Sequence, residues 1–548
     1  MKQALFIYAI LLKLLLVSSA GNAQNKLTIK QKSKPNIIII MADDLGFSDL
    51  GFMGSHINTP GIDKLAAKGI VYAQFYNTGR CCPSRASLLT GLYAHQTGMG
   101  WMTAANLGPE GYTGDLNKNC VTVPELLKQN NYATYMTGKW HLTSDSLMQE
   151  TSSKHNWPMQ RGFDKYFGHL AGGGSYYHPD GLVYGNHIID TPDDMYITNA
   201  VTDSTVSFMQ QHFETQPSTP FFFYVAYYAP HRPLQALQKD IDPYYGKFTM
   251  GWDALRKEKL ATLTKIGIAN KAWKLSARDE RIPAWDQVSE DDKKIWDARM
   301  AVYAAQVSIM DKGIGQIIAT LREYHQLDNT LIFFMSDNGG NQEMEANEQP
   351  IKIENIKTIQ NEKPAHSYHM EWASVSNTPF RMYKSQVYEG GIASPLIVHW
   401  PNGISARGKV IKQVSHIIDL MPTILQAAGA SYPTSFRDST IYPMEGISLV
   451  SSFNKSSDKQ RALFFEHEAN RAVIKGHWKL VADKAPNPPF IKNWELYNLG
   501  TDRSETNNLA AQYPQKVKEL STLWYQWAQT HLVLPLDGRG WGERVKKN

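Results

Sequence analysis

The segment Ile37-Ile38-Ile39-Ile40-Met41, followed by Ala42-Asp43-Asp44, constrains this chain most. Four consecutive β-branched residues in a short apolar run fit neither a helical stripe nor an alternating strand. Such a run is a strand buried on both faces, the environment of a parallel sheet covered by helices. Residues 330–335 form a second run and lead into Ser336-Asp337-Asn338-Gly339-Gly340. Residues 221–228 form a third, leading into Ala229-Pro230-His231-Arg232-Pro233, and residues 395–400 a fourth. Helical patterns lie between them, at 59–68, 123–130, 301–324 and 416–427. This alternation predicts an α/β fold: a large domain with a mixed, mostly parallel sheet flanked by helices. Ligands of such sheets sit beyond the carboxyl ends of the strands. The residues that follow the runs are Asp-Asp, Asp-Asn and His, so these are the candidates for chemistry.

Towards the C-terminus the pattern changes. Short strands are expected at 462–466, 472–475, 478–482 and 494–498, with a helix at 514–531. They predict a smaller C-terminal α+β domain with a short antiparallel sheet. Residues 343–371 are polar and without period, as in a long active-site loop. The expected division is a signal peptide at 1–23, a catalytic domain at 24–455 and a C-terminal unit at 456–548. The first segment has a basic start, an apolar run from Ala4 to Val17 and small residues up to Ala23. That is the pattern of a secretory leader, so export to the periplasm or medium is expected. No cysteine follows the run to carry a lipid, and no later stretch is apolar enough to span a bilayer.

Composition excludes little. Of 548 residues, 56 are Lys or Arg and 51 Asp or Glu, a formal charge of +5 that gives no case for nucleic acid. The three cysteines, Cys81, Cys82 and Cys120, are too few and too close for a disulfide framework. Cys120 reads as a buried thiol. The 14 tryptophans suit carbohydrate stacking and suit a large core equally well.

Cys81 opens the most informative segment, Cys81-Cys82-Pro83-Ser84-Arg85-Ala86-Ser87-Leu88-Leu89-Thr90-Gly91. Pro83 suits a first helical turn and Gly91 a helix end. Cys81 then stands at the helix N-terminus, where the dipole favours negative charge, with Arg85 one turn on. Taken alone, this leaves open a low-pKa thiol or a packed residue. The run resembles the signature of formylglycine-dependent sulfatases, Cys-x-Pro-Ser-Arg-x-x-x-Leu-Thr-Gly, at every fixed position. Cys81 occupies the site that a formylglycine-generating or radical maturase oxidises. The resemblance extends to Asp43-Asp44, Asp337-Asn338, Gly138-Lys139-Trp140-His141-Leu142, Ala229-Pro230-His231-Arg232-Pro233, and Phe380 to Lys384 followed by Tyr388 to Ile392.

The resemblance implies an alkaline-phosphatase-like fold and a set of roles. Asp43, Asp44, Asp337, Asn338 and residue 81 hold Ca²⁺, with Mg²⁺ as runner-up. The hydrated formylglycine attacks sulfur after Asp337 takes a proton. Lys139, Lys384 and Arg85 neutralise charge, and His231, with Lys384, protonates the leaving oxygen. His141 removes the second hydroxyl's proton and releases sulfate. Lys139, His231, Lys384, His178 and Glu343 are the expected substrate contacts. Lys139 and His141 would alternate along an extended chain and so face one pocket. Trp101, residues 172–178, Gln342 and Trp541 are candidates for the pocket mouth, whereas His56 and His169 read as structural. His467, in a segment that also resembles the family, is assigned no role. Sulfated galactose or N-acetylhexosamine units are the leading substrates, with small aryl sulfates as artificial ones. Two alternatives stand beside this reading. One is a phosphonate monoester or phosphodiester hydrolase of the same superfamily, separable by comparing sulfate and phosphate diester rates on one aryl group. The other is a glycan-binding homologue without catalysis, which would bind glycan without releasing sulfate.

Overall fold

The computed structural model describes residues 34–455 and 461–546. The expected leader at 1–23 lies outside the described residues. Residues 35–548 form one compact unit.

An 11-stranded sheet runs through it. Its strands are β1 (Asn36–Ala42), β2 (Ile70–Tyr76), β3 (Ala133–Lys139), β4 (Lys165–His169), β5 (Leu182–Tyr184), β6 (His187–Ile188), β7 (Phe221–Ala226), β8 (Thr330–Ser336), β9 (Ala393–His399), β10 (Lys409–Ile411) and β11 (Ser415–His416). The order is β10-β2-β9-β8-β1-β7-β3-β4-β5-β6, with β11 also on β2. β1 is central and pairs in parallel with both β7 and β8. All seven of its residues are buried. Alternate side chains enter opposite cores: Ile38 and Ile40 one, Ile37, Ile39 and Met41 the other. Each such buried side chain contributes about 1.5–3 kcal/mol, which explains why an unbroken apolar run replaces alternation here.

Helices cover both faces. We label α1 (Pro60–Lys68), α2 (Cys81–Thr90), α3 (Val123–Gln129), α4 (Ile197–Thr215), α5 (Glu290–Glu323), α6 (Leu420–Ala428), α7 (Pro514–Thr530) and α8 (Trp541–Arg544). α4 and α5 pack on the face of Ile38, and α2, α3 and α6 on that of Ile37. α5 begins eleven residues before its apolar stripe suggested. Its first turn is acidic and Ser289 caps it, accepting from the Asp292 N–H, which suits a solvated helix start.

The fourth apolar run, β9, is antiparallel to both β8 and β2. This reversal matters for the site. β2 consequently runs parallel to β8, so the exits of β1, β2, β3, β7 and β8 and the entry to β9 share one sheet edge. The four C-terminal strands, Ala462–His467, Asn470–Lys475, Trp478–Ala482 and Glu495–Asn498, form an antiparallel meander. Leu520, Trp524 and Trp527 of α7 pack against Val473, Leu480 and Leu496. Among the described residues no helix is long and apolar enough to cross a membrane.

Candidate active site

Asp43 and Asp44 leave β1 beside Asp337 and Asn338 leaving β8, because Ala42 pairs with Ser336. All four side chains are buried. Asp44 adopts a left-handed conformation (φ 67°), and its N–H donates to Asp337 Oδ1 at 3.2 Å. Lys139 Nζ lies 2.5 Å from Asp43 Oδ2. Arg85 Nη2 lies 3.4 Å from that oxygen and 2.8 Å from Asp337 Oδ2. Lys384 Nζ lies 2.6 Å from Asp44 Oδ1. Asn338 and Asn341 donate to the two Asp44 oxygens at 2.6 and 2.9 Å.

Three carboxylates thus face three cations, yet coordination capacity is left over. Asp43 Oδ1 and Asn338 Oδ1 are buried and have no protein partner among the described residues. Burial, then the charge of Asp337, pushes the Asp43 carboxyl well above its usual range, and burial raises Asp337 too. Unpaired buried oxygens and crowded carboxylates are costly. A hard divalent cation relieves both costs, and an all-oxygen donor set matches Ca²⁺. The residues present therefore fit the metal that the signature implies.

The loops close on each other through glycine. A Cβ on Gly339 would stand 1.8 Å from the Gly390 carbonyl oxygen. That close approach brings the Asp337 loop against the segment carrying Lys384, whose N–H donates to Gly340 O at 3.2 Å.

Cys81 is the first residue of α2, after Arg80 in extended conformation (φ −150°, ψ 150°), and Gly91 ends the helix at φ 68°. A hydrogen bond with Cys82, together with Lys139, His141 and Lys384, holds the Cys81 thiol well below its usual range despite burial. The sulfurs of both cysteines and a ring nitrogen of His141 lie within 4.8 Å of one another. The expected alternation of Lys139 and His141 along a strand is not found. β3 ends at Lys139, and His141 turns into the left-handed region (φ 54°). The Trp140 and His141 N–H groups donate to His169 and Leu170 carbonyls, which draws the chain round. Burial lowers the His141 proton affinity, and its Nδ1 has no partner among the described residues.

His231 Nδ1 lies 2.5 Å from the Arg232 carbonyl and 3.1 Å from the Tyr228 hydroxyl. Its Nε2 is 3.5 Å from Asp44 Oδ2. Burial, then Lys384 and Lys139, lowers its proton affinity strongly.

Two expected substrate contacts stand apart from the carboxylates. Glu343 is a strut: it accepts from Arg80 Nη1 at 2.5 Å and Arg232 Nη2 at 3.2 Å. Against burial, Arg80, Lys384 and Arg232 hold its carboxyl below the usual range. His178 is exposed, with Nδ1 2.9 Å from Glu362 and its N–H on Ser175 Oγ. Neither partner belongs to the carboxylate cluster.

Two residues were missed. Asn341 holds Asp44, and Tyr228 places its ring 5.7 Å from Lys139 Nζ. His169, expected to be structural, is buried and packs edge-on to Tyr228 at 5.2 Å. Burial pushes His169 down to about 3. Asn341 follows Asp337-Asn338-Gly339-Gly340, and Tyr228 precedes Ala229-Pro230-His231, so proximity to a motif was their available signal.

Comparison with known proteins places these observations. A sulfatase family model matches residues 35–430, and a second, described as N-sulphoglucosamine sulphohydrolase, C-terminal, matches residues 380–530. The chain belongs to the sulfatase family. It is a sulfuric ester hydrolase. It is 31% identical to an uncharacterized sulfatase of Schizosaccharomyces pombe, over 92% of this chain and 96% of that protein. It is 31% identical to an arylsulfatase of Klebsiella aerogenes, over 76% and 92% respectively. The crystal structure of Ps i-CgsB in complex with k-i-k-neocarrahexaose covers 94% of this chain and 97% of its own, with TM-score 0.66 and 25% identity.

Proposed function

We propose that this sulfatase is exported, depends on calcium and releases sulfate from sulfated glycans through a formylglycine made from Cys81. One observation carries the reading: a buried oxygen cluster with unpaired acceptors meets Cys81 at a helix N-terminus, ringed by Lys139, Lys384 and Arg85. The glycan part rests on likeness to Ps i-CgsB, which was solved with a carrageenan oligosaccharide. Export rests on the leader pattern at 1–23.

Bound calcium would screen the three carboxylates and polarise a sulfate ester. Oxidised Cys81 would supply a nucleophilic oxygen in place of sulfur. The remaining work belongs to side chains already in position. Lys139 and Lys384, each anchored by a carboxylate, offer preorganised positive charge to sulfate oxygens. Arg85 holds Asp337 and Asp43 apart from solvent. His141 is kept neutral by burial, which suits it to accept a proton at residue 81. His231 is also neutral without substrate. An arriving sulfate offsets the charge of Lys384 and Lys139, raises the proton affinity of His231 and lets it serve the leaving oxygen.

Peptide mass spectrometry across residue 81 tests the reading. In a host with a maturase, the residue should carry formylglycine, and turnover should scale with the modified fraction. Full turnover by protein retaining an intact Cys81 thiol would sink it.

A further inference from the structure

The buried arginines of this protein face carboxylates, with two exceptions among the described residues. Arg85, Arg161, Arg299, Arg503 and Arg544 are buried, and each has a carboxylate oxygen at 3.5 Å or less. Arg471 has none, but its guanidinium lies 4.5 Å from the centre of the Trp494 ring and donates to the Lys492 carbonyl at 2.7 Å. Arg256, on the helix Gly251–Lys265, is the other exception. It is 3% exposed. Among the described residues its hydrogen bonds run only from Nη2 to the Ser276 carbonyl and hydroxyl, at 2.9 and 2.7 Å, and its Nε has no partner. Burial lowers its proton affinity, and Tyr383 and Asp253 offset this only in part. A buried cation without a counter-charge is costly.

Arg256 lines a cavity of about 630 Å³. None of Asp43, Asp44, Asp337 and Cys81 lines it, so it is separate from the strand-end site. The other charged groups on its wall are taken up. Asp279 holds Arg281 through bonds of 2.8 and 2.6 Å, Glu505 lies 2.8 Å from Lys479, and Glu280 is exposed to solvent. Arg278 lies 2.7 Å from Asp253, and Arg381 lies 3.5 Å from Glu495. The buried charge left over is that of Arg256.

Neutral donors accompany it. Ser504, on the same wall, is fully buried, and its hydroxyl has no partner among the described residues. Gln386 also lines the cavity, and its amide, whose Oε1 is unpartnered, can turn to present NH2. A guanidinium, a hydroxyl and an amide on one cavity call for a ligand that is negatively charged and rich in acceptors.

We infer that this cavity binds a small oxyanion, with Arg256 as its counter-charge and Ser504 as a second donor. Two sources have that chemistry: the sulfate ion that a sulfatase releases, and the carboxylate of a sugar acid. A cavity of several hundred Å³ has room for either. The wall includes Met382 and Tyr383, the two residues before Lys384, so an occupant rests against the segment that carries this lysine.

Equilibrium dialysis of matured, calcium-loaded enzyme against labelled sulfate counts the sites. Wild type should hold about one sulfate per chain more than Arg256→Met, and Arg256→Lys should keep that extra site with affinity about tenfold lower. Equal counts in wild type and Arg256→Met overturn the inference. Competitors then identify the source. Displacement of the extra sulfate by glucuronate admits sugar-acid carboxylates, and its absence restricts the site to tetrahedral oxyanions; the oxyanion assignment stands in either case. Displacement by uncharged galactose overturns it. Melting curves guard against a variant that binds nothing because it is unfolded. Without added oxyanion, Arg256→Met should melt at or above wild type, because it removes an unpaired buried charge. With saturating sulfate, wild type should melt higher. The general salting effect of sulfate is common to both proteins, so a change in their order isolates position 256. A variant that melts below wild type by the same margin in both conditions makes Arg256 a packing residue and overturns the inference.

Discussion

At the sheet edge, Asp43, Asp44 and Asp337 are buried with Lys139, Lys384 and Arg85. At the junction with the C-terminal meander, Glu389 and Glu505 are buried with Lys479 and Arg503. Both groups balance their charges. At the junction, Lys479 Nζ lies 2.9 Å from Glu389 and 2.8 Å from Glu505, and Arg503 Nε lies 2.6 Å from Glu389. The Arg503 guanidinium is further enclosed by Phe380 at 4.6 Å and Tyr76 at 5.3 Å. Each carboxylate there faces a cation, so the junction serves as a charge-paired joint between main sheet and meander, although Glu505 Oε1 and Arg503 Nη2 form no well-directed hydrogen bond. At the sheet edge, Asp43 Oδ1 and Asn338 Oδ1 have no partner among the described residues, and a thiol sits among the cations. The difference teaches that a count of buried charges does not mark a functional site. What sets the sheet edge apart is that its unpaired acceptor oxygens converge with a thiol held well below its usual range.

A pair of variants can break this distinction. Asp44→Asn keeps one acceptor oxygen for Asn338 or Asn341, turns an NH2 group towards the other, and removes the charge that pairs with Lys384 and that the proposed calcium would need. Sulfate release should fall at least about 10²-fold, with a smaller loss of stability than in Lys479→Met, because removing the Asp44 charge also relieves its repulsion of Asp337. Lys479→Met leaves Glu389 and Glu505 facing each other without an ammonium group. It should cost about 3–5 kcal/mol of stability, while the folded fraction keeps its turnover. Activity assays and denaturant titrations of both proteins decide it. If Asp44→Asn unfolds as readily as Lys479→Met, the sheet-edge cluster is structural as well.

The two clusters also differ in how well the sequence announced them. Asp43, Asp44, Asp337 and Asn338 each follow a buried apolar run, so the strand-end rule and the signature point to them together. Cys81, Arg85, Lys139, His231 and Lys384 were readable from linear motifs, and the structure gathers them. The mixed sheet was legible from the apolar runs, but the antiparallel direction of β9 was not, because strand direction leaves no mark on composition. The pairing at the junction was not legible, although Glu389 stands in the Tyr388 to Ile392 segment that resembles the family. Glu389 lies 90 residues from Lys479 and 114 from Arg503, and nothing local distinguishes a buried glutamate from a solvated one. His178, expected as a substrate contact, stands exposed with Nδ1 2.9 Å from Glu362, a pairing 184 residues away that its Ser-Tyr-Tyr-His setting does not announce.

Chelation sharpens the contrast at smaller scale. Calcium at about 100 times its dissociation constant should stabilise the folded chain by about 2.7 kcal/mol. Removing it should lower the melting temperature of wild type and of Lys479→Met by the same amount. Asp44→Asn should show little shift, because its donor set is incomplete. Equal shifts in all three proteins would mean that the stabilising ion sits elsewhere.

The smallest effect concerns the junction alone. Burial pushes Glu505 up to about 7 from 4.5, although Lys479 opposes the rise. Between those two values the folded state keeps a proton that the unfolded chain has released. Its contribution to stability is therefore present at low pH, declines as pH rises through the window and levels off above about 7. Glu505→Gln removes this titration while keeping the shape of the side chain. Other groups titrate in the same range, but they are common to both proteins, so the difference between the two melting profiles isolates position 505. Wild type minus variant should fall steadily from pH 4.5 to 7. A flat difference would mean that Lys479 holds Glu505 ionised throughout. The junction would then be a permanently charged joint, and the sheet edge alone would carry carboxyl groups raised by burial.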